Sequence, residues 1–409
     1  MLLGEAIMKS RLLSVALLAA GLGVGTASGQ QPPYLPTPVG AARIPEPIPI
    51  SEPPPPMMQG PLNPYTLPSG PPDTLSLPAG HSSAFQCEEF VREKAVFLHV
   101  GPIALQRQRF GGEVLAVQDA IGLDTGIPTA AAVPVINMGD LSEHANWGLT
   151  ATLGYIWDSC SSLEVTGKYL FSATANSALA SPGSLDGLFF NPPIGFEGNN
   201  GLWLQADIMG IQRTTELGTG EFNYRYTSPG LTEAELIVGV RYLYFKEQLN
   251  LFTDDDGLTF PLANGLPDPK RTATYGVETR NQLVGPQLGF EWDHLLYKFV
   301  SFGVTAKGMW GVDFATTRHS LVRGDGFQGF DVQQNTTNYV AGMYEALAFV
   351  EFHATEKCRI RAGYDFMWLY GVKLGQDQID FNLANPAGQD RRSGNVYFQG
   401  PTLELQFLF

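Results

Sequence analysis

The feature that most constrains this chain is a period-two alternation of apolar and polar residues that recurs in short segments and runs to residue 409. The last segment sets Leu403, Leu405, Phe407 and Phe409 on one face and Thr402, Glu404, Gln406 and Leu408 on the other. Successive side chains of a β-strand point to opposite sides of a sheet, so this is a strand with one greasy face. A strict alternation that closes on a terminal aromatic has the form of the insertion signal of bacterial outer-membrane barrels. The expectation is a protein of the bacterial outer membrane whose partners are outer-membrane lipid and, through this strand, the barrel-assembly machinery.

Composition narrows the alternatives. The chain is 44% apolar and 16% charged, yet beyond the N-terminus it has no apolar run long enough for a membrane helix, which takes about 18 residues. The hydrophobicity is spread over alternating segments, as expected when one face of each strand meets lipid and the other a polar lumen. A net charge of -15 argues against a nucleic-acid partner, because phosphate backbones are bound by clustered Lys and Arg. Three cysteines, Cys87, Cys160 and Cys358, make no disulfide framework. Cys160 and Cys358 each lie beside a predicted turn, and both pairing there and free thiols remain open.

The N-terminus reads as an address. Lys9 and Arg11 precede the apolar stretch Leu12 to Val24, and Ala27, Ser28 and Gly29 supply small residues before a cleavage point, which makes residues 1–29 a signal peptide. Residues 30–94 read as a Pro-rich periplasmic linker: Gln31 to Gly80 holds 17 of the 30 prolines and almost no apolar periodicity, so it is expected to be an extended, disordered spacer. A periplasmic or cell-wall partner of this arm is the functional alternative to a plain leader.

From Ala95 to Phe409 the pattern is that of a barrel. Trp147, Leu149, Ala151, Leu153, Tyr155 and Trp157 share one face against Gly148, Thr150, Thr152 and Gly154, and after a turn at Asp158 to Ser161 the alternation resumes at Leu163. The two tryptophans are ten residues apart, or about 25 Å along the axis of a barrel tilted by about 40°, the height of the apolar band between aromatic girdles. Trp147, Trp157, Trp292, Trp310 and Trp368 are the girdle candidates. Further strand-like segments are Gly201 to Arg213, Glu233 to Lys246, Val277 to Trp292 with a change of face near Asn281 that a bulge would produce, Phe299 to Phe314, Tyr339 to His353 and Lys357 to Val372. Phe222 to Tyr226 and Leu249 to Leu251 add a short pair.

Counting that pair, the fold class is an all-β, antiparallel up-and-down transmembrane β-barrel of about 12 strands; without it there are ten. With both ends in the periplasm, the turns there would be Asp158 to Ser161, Thr214 to Gly220, Glu247 to Gln248, Asp293 to Lys298 and Ala354 to Glu356. The opposite connections, such as Arg107 to Ala145 and Lys373 to Val396, are much longer. Short periplasmic turns and long outer loops are the expected asymmetry, and it favours twelve.

The segments NWGLTATLGYIWD, AELIVGVRYLYF, ETRNQLVGPQLGFEW, FVSFGVTAKGMWG and RIRAGYDFMWLYGV, followed by GPTLELQFLF, resemble the putative β-barrel porin family number seven, an outer-membrane family of planctomycete-type bacteria. The resemblance spans Ala95 to Phe409. Its most specific parts are Thr279-Arg280-Asn281-Gln282 with the Gly289 strand, and Gly363-Tyr364 with Trp368. It implies location and architecture, and carries no substrate, cofactor or catalytic residue. The N-terminal strand KAVFLHVGPIALQRQ departs from the tryptophan-rich opening expected of the family.

The polar faces then line the lumen with Glu164, Lys168, Glu235, Arg241, Glu345, Glu351, Arg359, Arg361, Asp365 and Glu404. Arg359, Arg361, Asp365, Glu345, Glu351 and Arg241 are the candidates for shaping it. Opposed charges across a narrow channel select solutes by charge and size, whereas acids and bases that pair across it form a plug; both readings stay open. Asp254, Asp255, Asp256 and Gly257 offer oxygen ligands without the spacing of an EF-hand, so a solvated turn is the simpler reading and no metal or cofactor is expected. His81, His99, His144, His294, His319 and His353 are scattered, with no zinc pattern and no G-x-S-x-G elbow. The function expected is a porin-like passive channel for small solutes or ions. The alternatives are a non-conducting structural or adhesive barrel that uses its outer loops and Pro-rich arm, and a lipid hydrolase with a Ser-His pair on adjacent strands.

Overall fold

The computed structural model describes residues 94–108, 114–118, 133–141, 144–158, 160–196, 202–227, 233–255, 268–384 and 393–409. The expected signal peptide, and the linker up to residue 93, lie outside the described residues.

Alternation becomes twelve antiparallel strands in one sheet: β1 (Ala95–Arg107), β2 (Val114–Gln118), β3 (Val133–Asn137), β4 (Ala145–Ile156), β5 (Ser161–Gly187), β6 (Ala206–Thr227), β7 (Ala234–Asp254), β8 (Thr272–Tyr297), β9 (Val300–Arg323), β10 (Gln328–Thr355), β11 (Cys358–Val372) and β12 (Gly394–Leu408). The order β5-β4-β1-β12-β11-β10-β9-β8-β7-β6 closes on itself because β6 also pairs with β5. With β2 and β3 outside that circuit, ten of the twelve strands form the ring. Closure matters physically, since a sheet in lipid cannot leave backbone groups unpaired at an edge. The seam is made by β1 and β12, where Phe409 N donates to Val96 O at 2.8 Å and Val96 N to Phe409 O at 3.3 Å.

The twelve strands are not all those the alternation suggests. Ala206 to Arg213 of the first segment and Phe222 to Tyr226 belong to the single strand β6, and Ala234 to Lys246 with Leu249 to Leu251 to the single strand β7, so Thr214 to Gly220 and Glu247 to Gln248 are strand rather than turn. The other two members of the sheet are β2 and β3, a hairpin inside the long β1–β4 connection that docks on the outer end of β5 through Ala116↔Gly187 and Gln118↔Leu185.

Strand length explains the difference. Over β7 the outward face runs Leu236, Val238, Val240, Tyr242, Tyr244 and then Lys246, Gln248, Asn250, while the inward face runs Glu235, Ile237, Gly239 and Arg241 and then Leu243, Phe245, Leu249 and Leu251, broken by Glu247. The polarity of the two faces exchanges, but the register with β8 is unbroken from Ala234↔Trp292 to Asp254↔Thr272. The change of face near Asn281 is the same exchange on β8 and contains no bulge. Strands β5 to β10 run on past the apolar band, and there the outer face is polar while a core fills the inner side. β7 extends ten residues past Tyr244, about 25 Å further along the axis.

That outer core gathers Leu115, Ile136, Met138, Leu185, Phe196, Trp203, Tyr275, Leu321, Ile379 and Leu383, with Phe189 packed at tilted angles against Trp203, Tyr275 and Phe381. At the periplasmic end Cys160 is disulfide-bonded and Cys358 is a free thiol, so the two do not pair with each other.

Candidate functional site: the barrel lumen

Inward-facing side chains fill the lumen in layers. Nearest the periplasm, Arg225 reaches Glu164 at 2.8 Å, Glu235 at 2.8 Å and Glu291 at 3.0 Å, while Arg361 reaches Glu291 at 3.0 Å and Glu351 at 2.6 Å. Arg361 lies over the Phe349 ring, 3.9 Å from its centroid, and Arg359 stands 3.7 Å from Glu351. One layer up, Arg241 is paired with Glu221 and Glu345, and Lys168 with Asp365 and, at 2.6 Å, with Glu345. Lys307 meets Glu221 at 3.0 Å, and Gln287 donates to Glu221 at 2.8 Å.

These pairs cross the lumen. Lys168 is on β5 and Glu345 on β10, strands on opposite sides of the ten-strand ring. In a low-dielectric interior a charge is tolerated only when paired and hydrogen-bonded, so the register of many strands is tied to one set of contacts.

Above the charges lies an apolar belt. Ile103, Leu105, Leu170, Leu217, Leu243, Phe245, Leu283, Met309, Met343, Met367, Leu369, Val396 and Phe398 form one buried cluster to which every ring strand except β4 contributes. Phe245 of β7 and Phe398 of β12, again on opposite sides, meet edge to face at 6.1 Å with both side chains fully buried. The belt is level with the outer aromatic girdle, since Met309, Met343 and Met367 are the inward neighbours of Trp310, Tyr344 and Trp368.

The connection after β11 caps the belt. Gly371 has φ +73, a left-handed conformation that glycine adopts freely, and a Cβ there would stand well inside contact distance of Val340 O. This bulge turns Val372, Lys373 and Leu374 into the lumen. Asn281 clamps them: Lys373 N donates to its Oδ1 at 2.6 Å and its Nδ2 donates to Lys373 O at 2.9 Å. Further along, Gly375 N donates to Glu247 at 2.9 Å, Glu247 is paired with Arg107 at 2.6 Å, and Asp380 N donates to the Tyr275 hydroxyl at 3.0 Å. Burial, with Glu247 nearby, pushes the Asp377 carboxyl of this plug above its usual range, against the pull of Arg107 and Lys373.

All six candidate lumen residues do point inward. Arg361 opposes Glu351 across the β10–β11 ladder as their alternation implies, whereas Glu345 engages Lys168 and Arg241 rather than the arginines of β11. The hubs Arg225, Glu221, Glu291 and Lys307 are absent from that candidate set. Their signal is parity alone, each occupying the face opposite Phe222, Tyr224, Trp292 or Ala306.

The girdle candidates fall at two heights. Trp157 stacks on Tyr224 at 5.7 Å and Trp292 packs edge to face on Phe302 at 5.2 Å, towards the periplasm. Trp310 donates to the Tyr344 hydroxyl at 3.1 Å, and Tyr344 stacks on Trp368 at 5.6 Å, towards the outside, where Trp147 is 65% exposed. In the C-terminal strand Leu403, Leu405 and Phe409 are exposed on the outer face, while Glu404 and Gln406 turn inward.

Among the described residues the histidines and the acidic turn are dispersed. No group of three His, Cys, Asp or Glu is placed to hold a metal ion there. Asp255 is paired with Arg271 at 3.0 Å; Asp256 and Gly257, like His81, lie outside the described residues. Tyr275 shares a hydrogen bond of 3.2 Å with His319 Nδ1, and His294 contacts Glu233 at 2.9 Å. A Ser-His pair does exist, Ser301 Oγ with His353 Nε2 at 3.2 Å, but Ser301 is fully buried. Between the charge layers a cavity of about 80 Å³, lined by His99, Thr150, Thr152, Glu404 and Gln406 among others, has room for a few waters.

The outer-membrane protease OmpT of Escherichia coli is 10% identical, with 79% of this chain and 99% of that chain covered and a TM-score of 0.42. Ail, the attachment invasion locus protein of Yersinia pestis, is 8% identical over 78% and 100% at a TM-score of 0.21. The Pseudomonas putida toluene transporter TodX is 8% identical over 77% and 89% at 0.28. No curated protein matches the chain. The family model described as putative beta barrel porin-7 matches residues 123–399. The alternating strands, the closed ring and this match over more than half its length place the chain in the putative β-barrel porin-7 family.

Proposed function

We propose that this protein is a closed outer-membrane barrel whose working portion is the rigid β-structure it holds outside the cell, rather than an open diffusion pore. The observation that carries the reading is the meeting of Phe245 and Phe398 from opposite strands, fully buried, in the middle of the lumen. A hydrated solute crossing this level would have to displace the belt and the Lys373–Ala384 plug and break open both ion-pair layers. Each unpaired buried charge left behind would cost several kcal/mol.

The barrel then serves as an anchor, and strands β5 to β10 with the β2–β3 hairpin present a surface beyond the membrane. The Pro-rich linker acts as a periplasmic spacer; its composition supports this role, with the cell wall as the partner within reach. No catalysis is included, because the Ser301–His353 pair has a nucleophile without access. Turnover by the purified barrel on a panel of lipids and esters would overturn that exclusion.

The family's description as a porin supports a channel, and a channel requires belt and plug to move together. Single-channel recording of the refolded protein in a planar bilayer separates the two, with folding checked by heat-modifiable gel mobility. Silence from a correctly folded barrel is the expected result. Stable stepwise currents from the wild-type protein would overturn the closed reading and restore the passive channel.

A further inference from the structure

We propose that the outward face of β7 to β10, just beyond the apolar band, binds the phosphorylated sugar headgroup of an outer-leaflet glycolipid. The inference rests on the outer-membrane reading and is independent of whether the lumen is closed.

Basic residues are distributed unevenly over the barrel. Within the described strands the lysines and arginines, such as Lys168, Arg241 and Arg361, turn inward, and the outward faces carry Lys246, Arg280 and Arg318. These three are neighbours on successive strands, with Lys246 opposite Arg280 and Arg318 opposite Glu278. Their height is as informative as their grouping. Lys246 follows Tyr244 by two residues, where the outward face turns from apolar to polar and a membrane presents its anionic headgroups.

The local acids order these bases without consuming them. Glu278 stands 3.4 Å from Lys246 and 2.5 Å from Arg280, and Asp331 holds Arg318 through two hydrogen bonds. Arg280 and Arg318 are still about half exposed, at 48% and 50%, and a guanidinium has five N–H donors, of which one carboxylate occupies at most two. Donors therefore remain for a phosphate.

Immediately outward lies a groove of about 390 Å³ lined by Gln248, Asn250, Glu278, Ser320, Gln328 and Asp331. Gly276 is its floor: a Cβ there would come within 2.7 Å of Ser320 Oγ and 3.2 Å of Asn250 Oδ1. Amides, a hydroxyl and carboxylates over a shallow floor are suited to sugar hydroxyls, which both donate and accept. From the membrane outward the surface thus offers an apolar wall of Val240, Val284 and Val312, then bases, then a polar groove. A phosphorylated glycolipid such as lipid A carries its acyl chains on a sugar whose phosphates and hydroxyls lie together at headgroup level, so the bases and the adjoining groove above the apolar wall meet both. A simple phospholipid would satisfy only the wall and the bases.

The test uses the full chain refolded in detergent with bis-phosphorylated lipid A, with dephosphorylated lipid A or with phosphatidylglycerol, retention being read by native mass spectrometry. Wild type should retain lipid A over both other lipids. Lys246→Gln with Arg280→Gln should lower its retention by about tenfold or more, and Gly276→Val, which fills the groove and leaves every charge in place, should lower it too. Equal retention of lipid A and phosphatidylglycerol by the wild type, or unchanged retention in both variants, would overturn the proposal. Free phosphate competing as well as lipid A would overturn it as well, by showing an anion site without a lipid. A chain that fails to insert into vesicles overturns the outer-membrane reading itself, whereas an inserted, heat-modifiable barrel without lipid preference overturns this inference alone.

Discussion

Lys168 concentrates the chemistry of the lumen in one ammonium group. It is almost completely buried and bridges Glu345 and Asp365, two acids that Arg241 and Lys307 cannot both neutralise. Lys168→Met therefore leaves Asp365 as an uncompensated buried charge and is expected to destabilise the barrel by about 3–5 kcal/mol. Adding Asp365→Leu should recover most of that loss, because removing both partners removes the desolvation penalty as well. Urea unfolding of the two variants in lipid vesicles measures both numbers; additive losses would mean that the pair is not coupled.

Asp377 gives the plug a pH dependence of definite sign. Its carboxyl is raised above the unfolded value by burial and by Glu247, so the folded plug binds a proton more tightly than the unfolded one. Plug stability should rise as pH falls from neutral through the folded pKa, reaching its full gain below the unfolded value near about 4. Asp377→Asn should be protected at neutral pH as the wild type is in mild acid. The tip of the β9–β10 hairpin behaves oppositely. Arg323 holds the Asp325 carboxyl down to about 2, so that turn keeps its order above about pH 4 and loses it only as pH falls through about 2. Hydrogen exchange at Gly375 and Phe327, expressed as protection factors, follows the two segments separately.

At the scale of elements, Gly371 decides where the β11–β12 connection goes. Gly371→Val places a Cβ against Val340 O in a left-handed conformation that β-branched residues avoid, so the bulge should relax and the plug should leave the lumen. The expected outcome is protease access to Lys373 in a barrel that stays heat-modifiable; continued protection would mean that Asn281 and Glu247 hold the plug without the bulge.

The elements also separate what the sequence made legible from what it did not. The girdles and the inward parity of Arg361 and Glu351 follow from alternation alone, because parity is local. β6 and β7 were harder, since an apolar face on one side is read as one strand and its transfer to the other side as a turn or bulge. The exchange at Lys246 and Gln282 is instead continuous strand whose outer face turns polar while its inner face begins to cover a core. The contact between Phe245 and Phe398 has no local signal at all. It exists only because the ring places β7 opposite β12, a fact of closure rather than of pattern.

At the scale of the whole molecule the exchange of faces becomes a measurable membrane boundary. Along the outward face of β7, the outer-membrane reading expects Leu236 to Tyr244 to meet lipid and Lys246 to Asn250 to meet headgroups and water. An outward arginine costs about 2–4 kcal/mol at the bilayer midplane and about 0–1 near the interfaces. Val240→Arg should therefore lower the unfolding free energy in vesicles by the larger amount, and Asn250→Arg, five alternations from Val240 on the same face, by the smaller or none. The same pair of substitutions in a barrel wholly buried in lipid would cost similar amounts, and in one wholly outside it would cost almost nothing. A steep fall in penalty between Val240 and Asn250 thus tests in one series that the barrel spans the membrane, where it emerges, and that the extension above it stands in water with its core turned inward.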